Sequence, residues 1–247
     1  MSWSGPVTAG LGARLEEAAD QRTREHWTGY LKGAAHFRGV PMAGVRSAVR
    51  ALWRQHDLGA RPTGELLALA HEWFAAPWTE DKLAAVLLLA EHLVPRLELP
   101  DLPALAVPLV EGDVADWNVC DWYATKALHA FAVSRPGEVE ARVRGLAAWC
   151  SAEGLWQRRA GLVALVRLAP GGEEVFPGFP GLLLGACAAN LVDDDRFAHT
   201  GPGWVLRELS KAEPEAVAAF VAAHPELSRE ARRMATAHLR PGPYRRR

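Results

Sequence analysis

One pattern dominates the chain: apolar residues recur at helical spacing in segments rich in Ala, Leu, Glu and Arg, and alternating β-branched runs are scarce. Such segments favour helix nearly throughout. Breakers cut the pattern into medium lengths. Arg61-Pro62, the prolines at 100 and 103, Arg135-Pro136-Gly137 and the Pro/Gly-dense stretch 170–181 are the clearest. Helices are predicted over roughly 10–20, 22–35, 41–56, 63–75, 79–94, 101–112, 116–133, 136–151, 153–168, 181–191, 194–210, 213–223 and 228–239. Thr79-Glu80-Asp81 opens one with acid in its first turn, Glu213-Pro214-Glu215 places Pro at another's start, and Ser228-Arg229-Glu230 opens the last. The apolar run 83–90, flanked by charges, reads as a buried helix. The predicted class is all-α. Helix pairs recurring at about 35–40 residues suit an α-solenoid of HEAT-like antiparallel pairs, with a generic helical bundle as the alternative. A single repeat domain is expected over 1–240, followed by a basic, disordered tail at 241–247.

Composition narrows the function classes. With 49% hydrophobic and 23% charged residues, a largely disordered chain is excluded. Three dispersed cysteines, Cys120, Cys150 and Cys187, argue against a disulfide framework or zinc knuckle and fit a reducing cytosol. The opening residues lack the basic and apolar regions of a signal peptide, and no stretch approaches ~20 uninterrupted apolar residues. A cytoplasmic protein without a membrane partner is therefore expected. A net charge of −1 requires any nucleic-acid-binding surface to be segregated on one face. Arg229, Arg232, Arg233, Arg240 and the terminal three arginines make the C-terminal region the basic end. Phosphate-loop, dinucleotide-binding, serine-hydrolase and zinc-protease signatures do not occur.

What remains is a set of carboxylate, aromatic and arginine segments among ten tryptophans. In Asp116-Trp117-Asn118-Val119-Cys120-Asp121-Trp122-Tyr123, Trp117 and Asp121 are four apart and share a helix face. A carboxylate beside an aromatic wall suits a cationic substrate or transition state; the same spacing also fits a core Trp with a surface Asp. Arg158 and Arg159, in Trp156-Gln157-Arg158-Arg159, read either as a phosphate clamp or as a solvated face. In Gly201-Pro202-Gly203-Trp204, the glycines permit close backbone approach, with Trp204 either in a groove or structural beside a turn. Trp27 and Tyr30 are i,i+3 neighbours, for which core packing is the plain account.

In this order the segments resemble the AlkD-like DNA alkylation repair family. Gly203-Trp204-Val205-Leu206-Arg207-Glu208 followed by Leu227-Ser228-Arg229-Glu230-Ala231 is similar to its closing helices. Trp117/Asp121 is similar to its W-x-x-x-D, Trp156/Arg159 to its W-x-x-R, and Tyr30-Leu31-Lys32 with Phe37-Arg38-Gly39-Val40 to its N-terminal pattern. The resemblance runs from about residue 25 to 240. It implies a curved stack of HEAT-like repeats holding double-stranded DNA in a concave cleft, and release of N3- and N7-alkylated purines by a monomer needing no metal, organic cofactor or obligate protein partner. Transferred to matching positions, Asp121 is the catalytic carboxylate, Trp117, Trp204 and Tyr30 form the aromatic surface beside the lesion, and Arg159, with Arg158 and Arg207, holds phosphate. Asn118 stands where the family often has a second Asp, Thr200 where it often has Lys, and the 170–181 stretch is longer than the usual connector. These departures keep two rivals open: a DNA-binding paralogue without catalysis, and a HEAT-type protein-interaction scaffold.

Overall fold

The computed structural model describes residues 2–192 and 194–239. Arg240 and the basic tail expected at 241–247 lie outside the described residues. The described chain is all-α and divides into two compact units, Met1–Phe131 and Ala132–Arg247.

The first unit holds α1 (Ser4–Glu17), α2 (Gln21–Tyr30), α3 (Met42–Gln55), α4 (Thr63–Phe74), α5 (Thr79–Leu88), α6 (Leu102–Val110) and α7 (Trp117–Tyr123). The successive helices α4 and α5 pack on one another, as a short connection favours, while α1 packs on α3 with α2 between them in the chain. At the centre lies α5, whose residues 83–88 are all buried, so the apolar run forms the expected core helix. Both α5 and α7 continue into a single π turn, at Leu89–Leu93 and Ala124–Leu128 respectively. The next helix, α8 (His129–Val133), spans the division between the units. α1 begins six residues before its predicted start, running through Gly10 and Gly12. Gly10 is tolerated because a Cβ there would lie 3.0 Å from Leu52, so its small size lets α1 sit tightly on α3.

The turn between α2 and α3 is held by charge buried in the fold. Glu80, in the first turn of α5 and 2% exposed, accepts the backbone N–H of Arg38 (2.9 Å), Gly39 (2.8 Å) and Val40 (3.0 Å). Beside it Asp81 takes the Arg38 guanidinium at 2.6 and 3.2 Å. Gly39 has φ +93°, and a Cβ there would meet the Asp20 carbonyl oxygen at 2.4 Å. Only glycine fits, which is the physical content of the Phe37-Arg38-Gly39-Val40 pattern.

His92, in the π turn after α5, stacks on Trp53 with ring centroids 4.1 Å apart and planes at 15°. Its Nε2 is buried without a hydrogen-bond partner. Burial pushes its pKa below the usual histidine value, against the nearby Glu91 carboxylate. In the folded chain His92 resists a proton that the unfolded chain accepts below about pH 6.5. Its contribution is therefore intact above that value and declines as pH falls from there toward the depressed folded pKa. Chemical denaturation of His92→Phe, which keeps the stack, is expected to lose up to about 1.4 kcal/mol per pH unit of the wild-type acid sensitivity in that window. Identical pH profiles for the two proteins would refute this role.

The second unit holds α9 (Val139–Ala148), α10 (Leu155–Val163), α11 (Phe179–Asn190), α12 (Arg196–Leu209), α13 (Pro214–Ala223) and α14 (Arg229–Ala235). α12 packs on α10, α11 and α14. Gly203 makes the last contact possible: a Cβ there would lie 2.8 Å from Ala231 Cα. Ser228 caps α14 by accepting from the Ala231 N–H, its own N–H donates to His199 Nδ1 at 3.3 Å, and Arg196 grips Glu230 at 2.7 and 2.8 Å. The 170–181 stretch holds a 3-10 turn at Ala169–Glu174, which bends at Gly172 (φ +51°), and Gly178 (φ +83°) stands directly before α11.

Candidate functional site

α7 begins where Asp116 turns its carboxylate back onto the Val119 N–H at 2.9 Å. This N-cap satisfies one of the donors a helix start leaves open. From that fixed start Trp117 and Asp121 follow on one face, both half-buried. Val119, Cys120 and Tyr123 point into the core, and the Tyr123 hydroxyl donates to the Leu105 carbonyl at 2.6 Å. The helix is thus pinned from behind while its Trp117/Asp121 face remains accessible. Thr125 Oγ1 donates to the Asp121 carbonyl at 2.6 Å, just where the π turn begins. π turns inside helices occur frequently at functional sites.

Tyr30, at the C-terminus of α2 and 58% exposed, meets Trp117 edge to face, with ring centroids 6.0 Å apart. Trp27 meets Tyr30 in turn at 5.7 Å and lies near-parallel to Phe37 at 6.1 Å. The α2 end and the α7 start therefore share one aromatic surface, and core packing does not account for Tyr30. The turn locked by Glu80 supports this surface because it carries Phe37.

The electrostatics of α7 come from its first turn. Burial raises the Asp116 pKa above the usual carboxylate range, the Val119 and Asn118 N–H groups and Lys82 oppose the shift, and Asp121 adds to it. Lys82 Nζ donates to the Phe74 carbonyl at 2.7 Å and the Asp113 carbonyl at 2.5 Å. Burial lowers its pKa, against the pull of Asp113, Asp116 and Asp81. This lysine joins the end of α4 to the loop leading into α7. Its sequence context, the polar first turn of a helix, gave no hint of that role.

In the second unit the arginines carry structural contacts. Arg158 and Arg159 are both 5% exposed, so neither lies on the solvated face that was one reading of their spacing. Arg158 Nη1 donates to the carbonyls of Ala152 (3.1 Å) and Glu153 (2.5 Å). Arg159 Nη1 donates to the Phe197 carbonyl and to Thr200 Oγ1, each at 3.1 Å, and its guanidinium lies 5.5 Å from the Phe197 ring centroid. Thr200 is thus an acceptor for Arg159 in the position where the family often has a cation. Trp156 packs on the same Phe197 ring at 5.3 Å. Arg207 pairs with its neighbour Glu208 at 2.7 Å, and Glu208 also receives Lys211. Trp204 is half-buried, and the Gly201-Pro202-Gly203 triplet before it lies inside α12 rather than at a turn.

Among the described residues no group of three or more His, Cys, Asp or Glu side chains could hold a metal ion. No described helix is long and apolar enough to cross a membrane. The three cysteines are buried and unbridged, and burial raises the pKa of Cys150 to about 12.

A family model described as "DNA alkylation repair enzyme" matches residues 11–239. A solved structure described as a predicted DNA alkylation repair enzyme from Enterococcus faecalis is similar in fold, with a TM-score of 0.74 and 21% identity, covering 90% of this chain and 96% of that chain. A search of curated proteins found no significant match.

Proposed function

The chain belongs to the DNA alkylation repair enzyme family, and we propose that this protein is a DNA glycosylase releasing cationic N3- and N7-alkylated purines from duplex DNA. The observation that carries the reading is the α7 face, where Asp121 follows Trp117 one turn on and Tyr30 meets Trp117 at 6.0 Å.

An alkylated purine bears a positive charge and is already a good leaving group. The C1′–N bond breaks with its electron pair passing to the purine, which neutralises the base. The sugar becomes oxocarbenium-like. Asp121 stabilises that developing charge through space. It also orients a water whose oxygen bonds to C1′ and whose proton passes to the carboxylate and on to solvent. Trp117 and Tyr30 attract the cationic base through their ring faces. Because the fixed N-cap at Asp116 sets the start of α7, the carboxylate and the indole keep their spacing without substrate present.

Trp204, Arg159 and Arg207, with Arg158, are the candidate DNA contacts of the second unit. Of the arginines, Arg207 is the most accessible, its side chain 36% exposed. To meet a phosphate it must exchange Glu208, an exchange of charge-assisted partners.

The deciding experiment follows N7-methylguanine and N3-methyladenine leaving methylated duplex DNA, with wild type beside Asp121→Asn. Release by wild type alone supports the glycosylase with Asp121 at its centre. Salt-dependent DNA binding without release by either protein would replace it with the non-catalytic DNA-binding reading, which Asn118 motivates.

A further inference from the structure

The first turn of α5 carries three consecutive ionisable side chains, Glu80, Asp81 and Lys82, and they reach toward both sides of the aromatic surface. Glu80 and Asp81 hold the turn at 38–40, which carries Phe37 on the α2 side. Lys82 holds the α7 side. Its Nζ donates to the carbonyl of Phe74, the last residue of α4, and to the carbonyl of Asp113, in the loop between α6 and α7. All of these residues lie within the first unit. A lysine suits the position: an ammonium has three donors and no acceptor, and a helix C-terminus such as that of α4 offers open carbonyls and favours a cation. Burial works against the charge, and Asp113, Asp116 and Asp81 work for it.

The loop that Lys82 grips leads straight into the site. Gly112 (φ +81°) turns the chain out of α6, the Val114 N–H donates to the Pro108 carbonyl at 2.9 Å, and the Val114 side chain is buried. Two residues later Asp116 caps α7. The first turn of a helix has no preceding turn to bond to, and helix ends open most readily. Trp117 stands in that first turn and Asp121 one turn on, so their place depends on what holds the start. Farther along α7, the Tyr123 hydroxyl donates to the Leu105 carbonyl and its ring lies 5.2 Å from that of Phe74. Phe74 therefore braces α7 twice, by its ring at Tyr123 and by its carbonyl through Lys82 to Asp113. Without the second brace the start of α7 can swing about the first. We propose that Lys82 is a positioning residue for base release: by tying the loop before α7 to the end of α4, it sets where the Trp117/Asp121 face stands relative to Tyr30. The inference rests on the glycosylase reading for the reaction, and it gives Lys82 no contact with DNA or with the reacting atoms. A small misplacement of a catalytic group is enough to slow a reaction strongly.

The test uses the full chain and Lys82→Met, which keeps the aliphatic stem and removes the ammonium. The saturating single-turnover rate of N7-methylguanine release from methylated duplex DNA is expected to fall ~10²-fold. The enzyme concentration giving half that rate is expected to change by less than about threefold, because no DNA contact is lost. Amide hydrogen exchange in the free protein supplies the second readout. Exchange over 113–119 is expected to speed up about tenfold or more, while the amides at 38–40, held by Glu80 from the same helix turn, keep their wild-type rates. Lys82→Gln, with one donor group on a shorter stem, is expected to fall between the two in both readouts and carries the test if Lys82→Met fails to fold. A rise in the half-saturating concentration that accounts for the lost activity would make Lys82 a binding residue and overturn the proposal. Equal acceleration of exchange in both segments would make it a general support of the unit, and unaltered release would show that the start of α7 does not set the chemistry; either overturns it. Failure of the glycosylase reading appears separately, as absence of release by wild type. Lys82 then has no reaction to serve, and the exchange rates alone decide whether it anchors α7.

Discussion

Asp121→Asn is expected to lower release of N7-methylguanine and N3-methyladenine by ~10²–10³-fold, the usual effect of removing one preorganised charge from a transition state. The substitution preserves shape and removes only the ionised oxygen. α7 is held by contacts that do not involve the Asp121 carboxylate: the Asp116 cap, the Tyr123 hydroxyl on the Leu105 carbonyl, and buried Val119 and Cys120. Helix content, read by circular dichroism, is therefore expected to match wild type. Asp116→Asn is the informative companion, because asparagine caps a helix as well as aspartate does. It removes a neighbouring charge whose pKa burial has already raised, and it is expected to retain most of the activity. If Asp121→Asn released bases at the wild-type rate, the carboxylate would have no part in the chemistry. If both variants lost activity equally, the effect would belong to the net charge of the turn and not to Asp121.

Glu80→Ala is expected to cost stability on the order of 3 kcal/mol or more. Three buried N–H groups, of Arg38, Gly39 and Val40, lose their acceptor together, and each unsatisfied buried donor costs about 1–3 kcal/mol. For a chain of this size that corresponds to a fall in Tm on the order of 6–12 °C. Glu80→Gln keeps one acceptor oxygen and is expected to fall between alanine and wild type. Thermal unfolding followed at the helix signal checks both. A change in Tm of less than about 2 °C for Glu80→Ala would mean the turn finds other partners, water included. The consequence reaches the aromatic surface, because the turn carries Phe37 and Phe37 lies against Trp27.

The positions that carry the family resemblance divide by their physical work. Gly39, Gly203, Ser228 and Glu230 hold the fold: Gly39 and Gly203 at backbone approaches where a Cβ would collide, Ser228 as a cap, and Glu230 as the partner of Arg196. Arg159 grips Thr200 and the Phe197 carbonyl. Trp117, Asp121 and Tyr30 remain partly exposed after these structural roles are assigned. Motif matching weights both groups alike, although the first group is accounted for by contacts within the fold and the second keeps side-chain surface on α2 and α7.

The helices were legible from sequence because each one's stability rests on a local period and on local caps. Apolar residues at i, i+3 and i+4 mark the buried stripe wherever the helix later packs. Asp116, Ser228 and Pro214 mark starts through contacts within a turn. The Trp117/Asp121 face was legible for the same reason, since four residues on a helix make one turn. The start of α1 was placed six residues late, at residue 10 instead of Ser4, and only the packing of Gly10 against Leu52 of α3 shows why a small residue belongs at that position. The contacts of Tyr30 with Trp117, Glu80 with Gly39, and Arg159 with Thr200 join residues about forty or more positions apart in sequence. Nothing in local spacing encodes such pairs. Thr79-Glu80-Asp81 announces a helix start whether its carboxylates face water or the interior. That they face inward, and that Asn118 and Trp122 come to line a pocket with Trp27, was decided by how α2, α5 and α7 pack in three dimensions.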